Sequence, residues 1–302
     1  EGGWPGANPK DMEFFKKAKS LKLENSEVVA FGSTCRANTR ANKDTVLEGL
    51  LAAGTRYITI FGKSWDLHVK DVLKVGLDEN LRMISDSVTY LKSKGKIVFY
   101  DAEHFFDGYK GNKEYALKTL KAAEKAGAER IILCDTNGGT VTTQLFEIIE
   151  EVRSIINTPI GIHAHNDCEM AVANSVAAVQ AGAVQVHGTI NGYGERCGNA
   201  NLISIIAALK LKLGIDCVSD IALKELAEIA HFVAEISNMK LQDNQPFVGN
   251  SAFAHKAGVH VNAILKNPKT YEHVDPSSVG NRRRLLISEL SGKSTIIKRC
   301  ED

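Results

Sequence analysis

No apolar run in this chain of 302 residues reaches the ~18 residues that a membrane helix needs. The opening Glu1-Gly-Gly-Trp-Pro-Gly6 has neither the basic start nor the apolar segment of a secretory leader. Charge of one sign is also missing: a net +1 gives no electrostatic case for nucleic acid or an anionic membrane. The six cysteines (Cys35, Cys134, Cys168, Cys197, Cys217, Cys300) form no Cys-x-x-Cys pair, and a chain this long does not need disulfide staples. Free thiols in a reducing cytoplasm are the expectation. No Gly-x-Gly-x-x-Gly follows the first visible strand, which removes the usual dinucleotide signal. Gly292-Lys293-Ser294 is not a phosphate loop, because no glycine stands five positions before Gly292. The densest basic cluster, Arg282-Arg283-Arg284, reads as a solvated turn or as a contact to a phosphate-bearing ligand.

What is present is alternation. An Ala-Gly pair closing a helix stands just before an apolar strand at Ala53-Gly54, Ala126-Gly127 and Ala181-Gly182, and glycine best takes the left-handed turn that ends a helix. The strands predicted after these pairs are Tyr57 to Ile60, Ile131 to Leu133 and Val184 to Val186. Val28 to Phe31, Ile97 to Tyr100 and Pro159 to Ile162 complete six, separated by helical patterns such as Glu114 to Lys125 and Thr143 to Ile155. Such alternation means a parallel α/β sheet, either doubly wound or a (β/α)8 TIM barrel. The polar residues favour the barrel. Strand after strand ends in functional-looking side chains: Ser33-Thr34, Lys63-Ser64, Glu103-His104, Asp135-Thr136-Asn137, His163 and His165, and His187 with Asn191-Gly192. In a barrel these ring the mouth at the strand C-termini. Glu1-Gly2-Gly3 reads as the tail of a further strand with Asp11 to Ser20 as its helix, so the first strand and helix of the barrel are expected upstream of residue 1. The predicted organisation is a catalytic barrel over 1–214 and a small, mainly helical C-terminal subdomain over 215–302.

His163-Ala-His165-Asn166-Asp167 carries the chemistry. Side chains two apart on a strand share a face, so the two imidazoles converge where the strand ends and opens onto a helical run from Cys168 to Gln180. Neutral imidazole is a common metal ligand, so the pair reads as half of a divalent-metal site; the bland alternative is two hydrogen-bonded core histidines. Downstream, Asn191-Gly-Tyr-Gly-Glu-Arg-Cys-Gly-Asn199-Ala-Asn201-Leu202 is a polar loop whose glycines let the backbone approach a ligand. Asn199 stands just before a helix, able to cap it or to face a metal.

Together these motifs resemble the metal-dependent aldolase and Claisen-condensing barrels, the family of 2-isopropylmalate, homocitrate and citramalate synthases and of hydroxymethylglutaryl-CoA lyase. Tyr100-Asp-Ala-Glu-His-Phe-Phe-Asp-Gly-Tyr109, Leu133-Cys-Asp-Thr-Asn-Gly-Gly139, Phe253-Ala-His-Lys-Ala-Gly-Val-His-Val261 and Tyr271-Glu-His-Val-Asp-Pro276 through Val279-Gly-Asn-Arg-Arg-Arg284 look most like the bacterial citramalate-forming branch. The resemblance implies condensation of acetyl-CoA with pyruvate, then thioester hydrolysis to citramalate and CoA, a step feeding isoleucine and other branched-chain amino acids. It implies a divalent metal (Mg, Mn, Zn or Co) on His163, His165 and Asn199, acetyl-CoA as co-substrate, and a cytoplasmic homodimer. It also implies a hydrogen bond from Thr136 to the pyruvate carboxylate and acid/base roles for Glu103, His260 and Tyr271. Read as residues alone, Thr136 is equally a turn or helix cap, Glu103 a strand-end salt bridge, and His260 a helix-surface histidine.

The family takes a catalytic arginine and an aspartate metal ligand from its first strand, in an Asp-x-x-Leu-Arg-Asp type motif that does not occur here. The expectation is that both lie upstream of residue 1 and that the family's regulatory C-terminal domain lies beyond residue 302. The rival readings are a homocitrate or isopropylmalate synthase, an acyl-CoA lyase, and a non-catalytic barrel acting as a binding or regulatory subunit.

Overall fold

A computed structural model describes residues 1–286; Cys300 and the Gly292-Lys293-Ser294 run lie outside the described residues. The chain divides into two compact units, Glu1–His187 and a second that begins at Gly188. The boundary expected from sequence lies at 214/215.

The first unit opens with α1 (Pro9–Ala18), capped by Asn8, whose side chain accepts from Asp11 N. There follow β1 (Val29–Ser33), α2 (Thr45–Ala52), β2 (Tyr57–Lys63), the short α3 (Asp66–His68), α4 (Leu77–Ser93) and β3 (Ile97–Glu103). The unit continues through α5 (Phe105–Ala126), β4 (Arg130–Asp135), α6 (Thr142–Ile155), β5 (Ile160–Ala164), α7 (Ala171–Gln180) and β6 (Gln185–His187). All six strands are parallel and lie in the order of the sequence, β1-β2-β3-β4-β5-β6. A doubly wound sheet reverses its order at a switch point; this one does not, and it has the strand sequence of a (β/α)8 barrel. Gly2 N donates to Val29 O and Phe31 N to Gly3 O, so Gly2 and Gly3 run beside β1, without a strand of their own among the described residues.

Strands covered on both faces read as continuous apolar runs. Ile131, Ile132 and Leu133 on β4 are accordingly all fully buried, as are Ile58 and Ile60 on β2. The helix-to-strand turns use glycine as expected: Gly54, Gly127 and Gly182 have φ of +73°, +90° and +98°, values that L side chains rarely adopt. One expected helix differs. The run from Cys168 begins its helix only at Ala171, because Glu169 takes a left-handed φ of 58° and Asn166 Oδ1 accepts from Ala171 N at 3.2 Å. Among the described residues no helix is long and apolar enough to cross a membrane, and the five cysteines are free thiols.

The second unit holds α8 (Leu202–Lys212), α9 (Asp220–Leu223), α10 (Leu226–Ile236), β7 (Ala254–His255), α11 (Gly258–Lys266) and β8 (Arg284–Leu285). The helical stretch that follows α8 is broken into α9 and α10. Its core gathers Ile203, Leu223, Leu226, Ala230, Val248, Phe253 and Val279. The arginine cluster is not a plain solvated turn: Arg283 donates twice to the buried Glu272, at 2.6 and 2.5 Å, and Arg284 donates to Asn250 O at 2.7 Å.

Candidate active site

In the first unit the strand C-termini bring the expected residues to one end of the sheet. Cys134, His163 and His187 are register partners across β4, β5 and β6. His163 and His165 converge as their two-residue spacing requires, with Nε2 atoms 3.1 Å apart. His165 is fixed by the neighbouring loop: its N–H donates to Asp135 O at 3.2 Å, and Cys168 N donates to Gly138 O at 3.1 Å. Burial, then the nearby His187 and His165, push the His163 imidazole down to about 3, so its lone pair is not lost to a proton at neutral pH. Two nitrogens bound side by side to one ion at ~2.1 Å each stand about 3 Å apart, so the pair has the spacing of neighbouring metal ligands.

A different trio, Glu1, Asp101 and His187, also brings three ligand-type atoms within 4.8 Å of one another. Asp101 Oδ2 lies 3.7 Å from His187 Nδ1. Burial first, then Glu1 and Glu103, push the Asp101 carboxyl up, while burial pushes His187 down to about 4. The Asp101 shift favours the neutral acid, whereas a neutral imidazole at His187 is the ligand form, as at His163.

Glu103 ends β3 beside Lys63, which ends β2, and the two are register partners. Lys63 Nζ lies 2.5 Å from Glu103 Oε2, with both side chains mostly buried. Thr136 does not cap its own helix. Its Oγ1 accepts from His104 N at 2.8 Å, tying the end of β4 to that of β3.

Sequence reasoning missed the surroundings of this pair. His104 adopts a left-handed backbone, φ 55° and ψ 33°, which is uncommon outside glycine and asparagine. Its ring lies 4.1 Å from that of His68 and 5.8 Å from that of Trp65. His68 leads into a π-helical turn, Val69–Leu73, a distortion common at functional sites. Burial is the largest cause pushing His68 down, with His104 and Lys63 adding to it. The only sequence signal was the histidine at a strand end.

In the second unit the structure brings His260 and Tyr271 together. His260 lies on α11, and the rings stack at 4.1 Å with planes 29° apart. Asn199 is not the helix cap: Asn201 is, its Oδ1 accepting from Ile203 N at 3.0 Å. Asn199 Nδ2 donates to Tyr193 O at 3.1 Å, while its buried Oδ1 has no hydrogen-bond partner, as suits an oxygen kept for a ligand. The loop glycines serve the loop itself. A Cβ at Gly194 would collide with the Asn199 amide, and one at Gly198 with Gly192 O.

A family model described as HMGL-like matches residues 1–233, and one described as homocitrate synthase post-HMGL domain-like matches residues 247–302. The chain is 57% identical over 302 residues to the (R)-citramalate synthase of Geobacter sulfurreducens, covering 100% of this chain and 57% of that one. It is 36% identical over 293 residues to the 2-isopropylmalate synthase of Sulfolobus acidocaldarius, covering 97% and 72%. Among solved structures, the hydroxymethylglutaryl-CoA lyase of Pseudomonas aeruginosa superposes with a TM-score of 0.63 at 15% identity, over 79% of this chain and 80% of that one. That last likeness is one of fold. The chain thus spans little more than half the length of the curated citramalate synthase it matches.

Proposed function

The chain belongs to the HMGL-like family, and on that premise we propose that the protein is an acetyl-CoA-dependent acyltransferase that condenses acetyl-CoA with pyruvate and hydrolyses the thioester to give citramalate and CoA. The observation that carries the acceptor is the higher identity to a citramalate synthase than to an isopropylmalate synthase. No comparable observation favours the lyase or the non-catalytic barrel.

A divalent metal would be held by His163 and His165, whose nitrogens have the ligand spacing; the family resemblance adds Asn199, whose buried oxygen has no hydrogen-bond partner. When bound there it supplies Lewis acidity to the keto oxygen of the acceptor. The chain's own residues do the rest. Thr136, its oxygen accepting from His104 N, donates a hydrogen bond to the pyruvate carboxylate. Thioester α-protons are weakly acidic, so a placed base is required. Glu103 and His260 are the acid/base groups, with Tyr271 acting beside His260. One removes the methyl proton, the acetyl carbon bonds to the keto carbon, and the keto oxygen takes up a proton to become the tertiary hydroxyl. Water then adds to the thioester carbonyl and CoA leaves as the thiol. In this reading residues 1–214 are the catalytic barrel and residues 215–302 the lid that brings His260 and Tyr271; the enzyme works in the cytoplasm as a homodimer, supplying a branched-chain amino-acid route.

Mass spectrometry of the products from acetyl-CoA and 13C-pyruvate tests the reaction. Labelled citramalate and free CoA should form in equal amounts and disappear on chelation. Free CoA without citramalate would replace the reading with a thioesterase.

A further inference from the structure

We propose that Lys63 is a positioning residue for Glu103: it fixes the carboxylate at the mouth of the sheet in the orientation that proton abstraction requires. The inference rests on the reading of Glu103 as an acid/base group. Lys63 and Glu103 are the last residues of β2 and β3 and are paired in register. Their backbones are bound to one another and to a helix. Ser64 N donates to Glu103 O at 3.0 Å, and the side chain of Asn80, fully buried on α4, donates to Lys63 O at 2.8 Å. Neither strand end can slide relative to the other.

The side chains are held as firmly. Lys63 retains 15% exposure and Glu103 22%, and a mostly buried ammonium is costly unless it is paired. Lys63 Nζ is held from two sides, 2.5 Å from Glu103 Oε2 and 5.6 Å from the centre of the Phe61 ring. A surface ion pair between flexible side chains would be worth little; this one sits on two rigid strands, where holding a base in place is worth most. The contact is made at Oε2, and a carboxylate has a second oxygen with which to take a proton. Lysine's place at the end of a strand is unremarkable by itself. Its register partner gives it this role.

The test uses the whole protein with Lys63→Met, which keeps length and removes charge, Lys63→Arg, which keeps charge, Glu103→Gln, and the Lys63→Met/Glu103→Gln double variant. Lys63→Met should lower kcat ~10–100-fold with both KM values within about twofold, and Lys63→Arg should recover most of that loss. Glu103→Gln should cost ~10²–10⁴-fold. The double variant should be no slower than Glu103→Gln alone, because a residue that acts through another has nothing left to act on. Melting temperatures are read on every variant; if Met at 63 unfolds the protein, Lys63→Gln enters the same cycle in its place. An active Glu103→Gln enzyme overturns the reading of Glu103 and the proposal with it. An impaired Glu103→Gln enzyme overturns the role of Lys63 alone in three cases: an unchanged kcat for Lys63→Met, a loss confined to KM, or losses that multiply in the double variant.

Discussion

His260 and Tyr271 stack with ring centroids 4.1 Å apart although Tyr271 is 46% exposed. An exposed aromatic pair with no core to fill adds little to packing, and in the proposed reaction these two groups act on substrate. His260→Ala should cut kcat ~10²–10⁴-fold, and Tyr271→Phe by less. Metal content and pyruvate affinity, read by calorimetry without acetyl-CoA, should stay within about twofold. A His260→Ala enzyme with full kcat would reduce that segment to a scaffold.

His163→Ala and His165→Ala should each remove stoichiometric metal and abolish turnover while moving the melting temperature little, since strand-end ligands contribute little to a core. Elemental analysis of the purified variants checks this. Full occupancy with normal activity would make the pair structural.

The shifted imidazole of His163 predicts an acid response in chelated protein. Its folded value, about 3, is below the ordinary value, so between ~6.5 and about 3 the unfolded chain takes up a proton that the native site refuses. Stability is complete above ~6.5 and falls as the pH drops through that window, by at most ~1.4 kcal/mol per pH unit from this residue. His163→Gln should flatten the slope in urea titrations between pH 7 and 4.5. An unchanged slope would show that the imidazole is protonated in the native state.

Gly108 lies on α5 where a Cβ would collide with the backbone oxygen of Ser64, the residue after β2. A backbone atom fixed by a sheet cannot give way, so Gly108→Ala should cost ~1–3 kcal/mol. Because Ser64 follows Lys63, kcat should fall as well. Denaturant midpoints and turnover on the same sample read both effects.

Much of this was legible in the sequence because it is periodic. Ala-Gly helix ends placed three of the strands, apolar runs placed the other three, and the two-residue spacing of His163 and His165 put both on one face. Helix starts were harder: the turn at Glu169 depends on a side chain returning from Asn166, and no period announces that. The glycines of the loop around Asn199 also have a local role that no spacing announces: a Cβ at Gly194 or Gly198 would meet the loop's own atoms. The pairing of Lys63 with Glu103 was hidden for another reason. They stand forty residues apart, and only strand register brings them together.

The choice of acceptor by the whole protein decides whether it forms citramalate. Thiol release should be followed with acetyl-CoA and a divalent metal across pyruvate, 2-oxoisovalerate and 2-oxoglutarate. Pyruvate should exceed both others in kcat/KM by more than the ~10–200-fold that a single methylene typically contributes. Equal or faster turnover of 2-oxoisovalerate or 2-oxoglutarate would contradict it.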